Sequence, residues 1–176
     1  MSEGKKYQLK VVVVGDPAVG KTSLIRRFAD DKFEDEYKHT IGADFNVKVI
    51  EFPESKKNAV LTVWDIGGQE RFEIIRRYYY EGSHAGLIVF DLTNKKAFDH
   101  ITNWYNDLRE YLKDIPIALI ANKLDLKDAI VISDSDIESK MKELKIEFYY
   151  KTSAKTGENV ENAFSKLAKI KLEELS

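Results

Sequence analysis

A chain of 176 residues with a formal net charge of −2 and a pI near 6.0 is long enough for one domain with a sizeable core. It carries no general electrostatic pull toward nucleic acid or an anionic membrane. The absence of cysteine excludes disulfides, thiolate metal sites and thiol catalysis, and in the chain as given it also excludes prenyl or palmitoyl attachment. The first ten residues are polar, without the apolar core of a signal peptide, and no run reaches membrane-spanning length. A cytoplasmic protein without a membrane anchor of its own is therefore expected.

In chain order, the apolar β-branched run Val11–Val14 closes a first strand over about 7–14, and Leu24, Ile25 and Phe28 mark a helix over 21–30. Two strands follow at 43–52 and 59–65, joined by Pro53-Glu54-Ser55-Lys56-Lys57-Asn58, which reads as a hairpin loop. A helix at 70–81 leads to a strand at 85–91. The helix at 95–112 has the clearest periodicity, with Phe98, Ile101, Trp104, Tyr105, Leu108, Tyr111 and Leu112 at three-and-four spacing. A strand at 115–121, a helix at 134–144, a strand at 146–150 and a helix at 158–174 complete the order. The runs Val11–Val14, Leu87–Phe90 and Ile115–Ala121 are apolar without alternation, as in a parallel sheet covered on both faces. The fold class expected is α/β: six strands, mostly parallel, with one antiparallel edge strand and five helices on both faces. Residues 7–174 form one domain in this reading, and 1–6 a flexible extension.

Ligands in such sheets bind beyond the carboxyl ends of the strands, and four motifs fall there. Gly15-Asp16-Pro17-Ala18-Val19-Gly20-Lys21-Thr22 fits G-x-x-x-x-G-K-[ST] between a strand and a helix. Backbone N–H groups, the helix N-terminus and the Lys21 charge form an anion cradle, and Thr22 offers a hydroxyl to a Mg²⁺ bridging phosphates. This is a nucleoside triphosphate site. In Trp64-Asp65-Ile66-Gly67-Gly68-Gln69-Glu70, Asp65 can hold Mg²⁺ through water and the glycines permit a backbone N–H to approach a γ-phosphate. Gln69 can orient an attacking water, because its amide both donates and accepts. Asn122-Lys123-Leu124-Asp125 addresses the base. A carboxylate there accepts from N1–H and the 2-amino group of guanine, whereas adenine would leave it unpaired. Thr152-Ser153-Ala154-Lys155-Thr156-Gly157 reads as a helix-capping turn opened by Thr156 or Gly157. Its small residues also let a backbone N–H approach the guanine O6.

With these motifs in this order, residues 7 to 172 resemble the Ras-superfamily small GTPases, and the Rab-like group most closely. The resemblance implies a P-loop NTPase fold and a guanine-nucleotide switch that binds GTP with Mg²⁺ and hydrolyses it. Its control would lie in two segments, about 33–42 and 65–78, and its roles in signalling or vesicle traffic. Gln69, Lys21, Gly68 and Thr40 take the catalytic places. Ala18, Val19, Gly20, Lys21, Thr22 and Ser23 take the phosphate places, and Tyr37 that of a tyrosine closing over them. Phe33 takes the place of the aromatic edge-on to guanine, with Asn122, Lys123, Asp125, Ser153, Ala154 and Lys155 around the base. Thr22, Thr40 and Asp65 (through water) take the metal places. Phe45, Trp64 and Tyr79 match an aromatic triad that meets effectors, and they read equally as sheet-edge packing. The implied partners are an activating protein, a nucleotide-exchange factor and effectors, with no nucleic acid, and the implied state is a monomer.

Three positions depart from the family pattern. Pro17 has no N–H to give and crowds the space beside Gln69 where an activator's arginine would enter. Gly67 stands where alanine is usual and gives an Arf-like Gly-Gly-Gln, which should loosen residues 66–77 when the γ-phosphate is absent. The segment Lys169-Ile170-Lys171-Leu172-Glu173-Glu174-Leu175-Ser176 carries no lipidation cysteine. Two competing readings are a nucleotide-binding scaffold that hardly hydrolyses, against which Gln69 argues, and a P-loop kinase, for whose lid the stretch from Asp91 to Trp104 leaves no room.

Overall fold

The computed structural model describes residues 4–69 and 73–176. Six strands form one sheet in the order β2-β3-β1-β4-β5-β6, with β1 Lys5–Val14, β2 Ala43–Phe52, β3 Lys57–Ile66, β4 Ala85–Asp91, β5 Ile117–Asn122 and β6 Tyr149–Lys151. Only β2 and β3 run antiparallel, with Phe45 opposite Trp64 and Lys48 opposite Leu61. β1 pairs in parallel with β3 and β4, and β5 with β4 and β6. The helices are α1 Lys21–Asp30, α2 Glu73–Tyr80, α3 Lys95–Asp99, α4 Ile101–Tyr111, α5 Asp134–Leu144 and α6 Val160–Glu174. The fold class matches the expectation, a mostly parallel α/β sheet with a single antiparallel edge pair.

Burial follows the strand patterns. Every residue of β4 and β5 is buried, as unalternating apolar runs between two helical layers require. β2, at the edge, alternates: Ile50 and Phe52 face the core, while Phe45, Val47 and Val49 are exposed. Phe28 of α1 and Phe164 of α6 stack at 4.0 Å on the inner side of the β2–β3 hairpin, where Lys48 reaches the Phe28 carbonyl. α2 covers the opposite face, with Tyr79 against Trp64, and packs on α4.

The boundaries that moved have physical causes. β1 starts at Lys5, because its register continues along β3 to Lys57, so Lys5 and Lys6 belong to the sheet and not to the N-terminal extension. β5 starts at Ile117, after Pro116, which has no N–H for the ladder and offers only its carbonyl, to Gly86. The helix expected over 95–112 comes as two abutting pieces joined at His100, with the hydrogen-bonding continued by His100 N–H to Lys96 and Trp104 N–H to His100. Of the helix expected over 70–81, residues 70–72 lie outside the described residues. α6 opens at Val160 after Asn159 in the left-handed region, so neither Thr156 nor Gly157 opens it. Instead, Ser153 caps the local turn by accepting from the Thr156 N–H.

Candidate functional site

The phosphate loop leaves β1 at Val14 and enters α1 at Lys21 through two left-handed residues, Ala18 and Gly20. Gly20 permits a close approach, since a Cβ there would collide with the Asn122 amide. Lys21 is buried and its ammonium group donates to the carbonyls of Gly15 and Asp16 at 2.9 and 2.8 Å, folding the side chain along the inside of the loop. Burial pushes its pKa down to about 8, against the charges of Asp65 and Asp16, which raise it. A buried ammonium so poorly compensated favours an anion in the cradle.

Three oxygen-bearing side chains converge near Lys21. The Thr22 hydroxyl donates to the Asp65 carboxylate and lies 2.8 Å from the Thr40 hydroxyl, which is 3.2 Å from the same carboxylate oxygen. The other Asp65 oxygen, Oδ1, is buried with no hydrogen-bond partner among the described residues. Burial raises the Asp65 pKa, opposed by Thr22, Lys21 and Thr40. Two hydroxyls and one under-partnered carboxylate suit a hard cation that keeps waters or phosphate oxygens in its shell. Among the described residues no cluster of three or more His, Cys, Asp or Glu side chains could hold a metal unaided.

Gly68 lies directly on the phosphate loop. A Cβ there would strike the Gly15 carbonyl and come within 2.8 Å of the Pro17 nitrogen. Gln69 follows, with its amide nitrogen 2.6 Å from His39 Nδ1. Tyr37 is exposed and its hydroxyl lies 3.0 Å from the same imidazole nitrogen. Partial burial raises the Tyr37 pKa, against a lowering backbone hydrogen bond at Ala18.

On the other side of the loop, a cavity of ≈ 290 Å³ runs between Phe33 and the β5 end, lined also by Ala18, Ser23, Asn122, Lys123, Asp125, Ala154 and Lys155. Asn122 fixes this region. Its amide nitrogen donates to the Val19 carbonyl at 3.0 Å, and its oxygen accepts from the Thr152 hydroxyl and the Ala154 N–H. Lys123, left-handed at φ 68°, donates to the Ala18 carbonyl and pairs with Asp91 at 3.0 Å. The Ser153 hydroxyl donates to Asp125 at 2.7 Å, orienting the carboxylate that the sequence assigns to the base. The cavity thus joins the phosphate loop to the Asp125 carboxylate, with Glu34, Asp35 and Glu36 lining it from the segment after α1.

All the sequence-selected residues except the aromatic triad surround this one cleft. The triad forms a separate surface cluster, with Phe45 5.1 Å from Trp64 and Trp64 5.9 Å from Tyr79. The motifs did not point to Arg27, whose guanidinium donates to the Ala154 and Lys155 carbonyls and so ties α1 to the base loop. Nor did they point to Asp16, held by Trp104 Nε1 at 2.8 Å and His100 Nδ1 at 2.6 Å. These partners lie 84 and 88 residues away in sequence, and their helical spacing signalled only a buried face.

Residues 10–173 match the Ras family model. The chain belongs to the Ras family. It is 40% identical over 165 residues to the Ras-related protein Rab-1 of Theileria parva, covering 93% of this chain and 74% of that one. To the Ras-related protein Rab-8A of Bos taurus it is 38% identical over 170 residues, 96% and 81% of the two chains, and to the GTP-binding protein YPTM2 of Zea mays 38% over 163 residues, 92% and 79%. The protein is accordingly a Rab-like GTPase of the Ras superfamily, a switch that binds and hydrolyses GTP with Mg²⁺ in the family whose roles include vesicle traffic. Family membership brings with it exchange factors, activating proteins and effectors as partners.

Proposed function

We propose that the cleft described above works as follows. Ala18 to Ser23 and Lys21 bind the phosphates, and Phe33, Asn122, Lys123, Asp125, Ser153, Ala154 and Lys155 hold the guanine. Thr22 and Thr40 ligate Mg²⁺, with Asp65 acting through water. Mg²⁺ held by these residues would supply positive charge to the phosphate oxygens. The Gln69 amide accepts from the attacking water, and Gly68 N–H and Lys21 stabilise the charge on the transferring group. Thr40 and Gly68 are the two latches. With the γ-phosphate gone they lose a shared partner, and segments 33–42 and 65–78 relax. The convergence of Thr22, Thr40 and Asp65 oxygens beside a buried Lys21 carries this reading.

Phe45, Trp64 and Tyr79 serve as the effector face in this proposal. The Gly67-Gly68-Gln69 sequence gives an Arf-like second switch whose extra glycine loosens it in the diphosphate state. The protein acts as a cytoplasmic monomer of one domain and meets membranes through its partners. No helix among the described residues is long and apolar enough to cross a membrane.

Chromatography of the nucleotide released by denaturing freshly purified protein tests the base assignment. GDP is the expected product, and ADP or an empty protein would overturn it.

A further inference from the structure

We infer that His39 is a positioning residue for Gln69, fixing the amide that orients the attacking water. The inference rests on the proposed role of Gln69. His39 immediately precedes Thr40, and its Nδ1 lies 2.6 Å from Gln69 Nε2. An amide nitrogen donates and cannot accept, so Nδ1 is the acceptor and the ring proton sits on Nε2. The NH₂ group has a second hydrogen, and Oε1 has both lone pairs free of this contact. One hydrogen spent on His39 therefore fixes the amide plane while leaving a donor and an acceptor for the reaction.

The need for such a fixing group is physical. The terminal torsion of glutamine is broad, so an unheld Gln69 would present its amide in many orientations. The backbone of Gln69 is approached from the other side by Arg76, whose Nη1 is 3.5 Å from its carbonyl. Of these two contacts only His39 reaches the functional amide. His39 is itself restrained by its ring lying edge-on to Tyr37 at 4.9 Å and 73°, and the Tyr37 hydroxyl, 3.0 Å from the same Nδ1, shares the single lone pair there with the shorter Gln69 contact. Tyr37, His39 and Gln69 line one cavity with Lys21, Thr22 and Thr40. The contact spans both switch segments, so the amide is held only when both are closed on the loop. This makes positioning of Gln69 conditional on the state of the first switch, a coupling that runs through side chains of this chain alone.

Single-turnover hydrolysis of Mg·GTP-loaded protein, without activator, tests this in a double-mutant cycle. His39→Ala should hydrolyse about tenfold more slowly, the effect of losing one orienting hydrogen bond, while release of a fluorescent GDP analogue changes less than about twofold. His39→Asn, which places an amide oxygen near the Nδ1 position, should recover most of the rate. In a Gln69→Leu background, His39→Ala should have no further effect. A second readout does not use activity: with a non-hydrolysable GTP analogue bound, the imidazole ¹⁵N shift of His39 Nδ1 should report an unprotonated acceptor and should move on Gln69→Leu. An unchanged or faster His39→Ala rate, or a full loss persisting in the Gln69→Leu background, overturns the inference. If Gln69→Leu alone hydrolyses normally, the role of Gln69 itself falls and takes the positioning role with it. That failure is recognisable because the ¹⁵N shift still reports the contact.

Discussion

Pro17 is placed to affect the response to an activating protein, although it has no N–H to offer a phosphate. Its ring takes the place of an N–H at the second residue after Gly15, while Asp16 beside it is held away from the phosphate side by Trp104 and His100. The loop is thereby anchored to α4, and proline's fixed φ stiffens it further. Gly68 already rests against the Pro17 nitrogen so closely that even a methyl group would not fit. In the proposed mechanism an arginine brought by an activating protein would enter this same space beside Gln69, and such a residue is worth about 10³–10⁵ in rate (the general figure for these GTPases). Pro17→Gly should therefore leave intrinsic hydrolysis within a few-fold and increase the acceleration given by an activating protein. Parallel rate measurements with and without activator check this, and an equal response in both proteins would remove the steric argument. The residues that the cleft gathers were legible in the sequence as candidates because the proposed chemistry demands fixed types at fixed local spacings: glycine where backbone must approach, lysine and threonine where α1 opens, aspartate at a strand end. Trp104, His100 and Arg27 were not, because a partner some eighty or more residues away leaves no local mark. Trp104 simply joined an apolar helical stripe.

At the scale of elements, α2 is attached to the rest of the molecule by a small polar cluster. Arg76 is 7% exposed, lies over the Trp104 ring at 4.8 Å and donates to Asp107 Oδ2 at 3.2 Å. The Tyr80 hydroxyl donates to the same oxygen at 2.6 Å, and burial, with the Asp107 charge beside it, drives the Tyr80 pKa far upward. A charged side chain on a switch helix is costly to bury without a partner. Asp107→Ala would leave the Arg76 guanidinium and the Tyr80 hydroxyl without their shared acceptor, at a cost of about 2–4 kcal/mol. Urea unfolding of the GDP form should show that loss as a lower midpoint at unchanged slope. Near wild-type stability would mean that both groups find water instead. The sequence announced α2 only as a helix over about 70–81, and its anchor could not be read there because Arg76 and Asp107 belong to different elements. The strands were more legible. Their apolar runs state which faces are covered, and only the ends moved, at Pro116 and at Lys5, where pairing with a neighbour decides the boundary.

At the scale of the whole molecule, the cleft gathers loops from the ends of strands spread across the whole sheet. The phosphate loop follows β1, Asp65 ends β3, Asn122 ends β5, residues 153–155 follow β6, and Thr40 and Phe33 precede β2. In the proposed binding mode a nucleotide with Mg²⁺ would contact all of them, so its binding energy should appear as stability of the entire fold rather than of one loop. The polar groups gathered there favour the filled state. Burial disfavours the charge on both Lys21 and Asp65, and an anion and a cation in the cleft oppose that cost together. At a free nucleotide concentration about a thousand times Kd, linkage gives about 4 kcal/mol. For a chain of this size each kcal/mol raises Tm by about 2–4 °C. The Tm in saturating GDP and Mg²⁺ should then exceed that of nucleotide-stripped protein by about 8–16 °C and rise with the logarithm of GDP concentration. Chelating Mg²⁺ should remove most of the gain, because Thr22 and Asp65 are then left to each other. ADP at the same concentration should give little, since Asp125 would face a base with no N1–H to offer. Scanning fluorimetry across these four conditions separates the contributions of base, phosphate and metal. A Tm indifferent to Mg²⁺ would show that the hydroxyls of Thr22 and Thr40 take no part in holding the ligand.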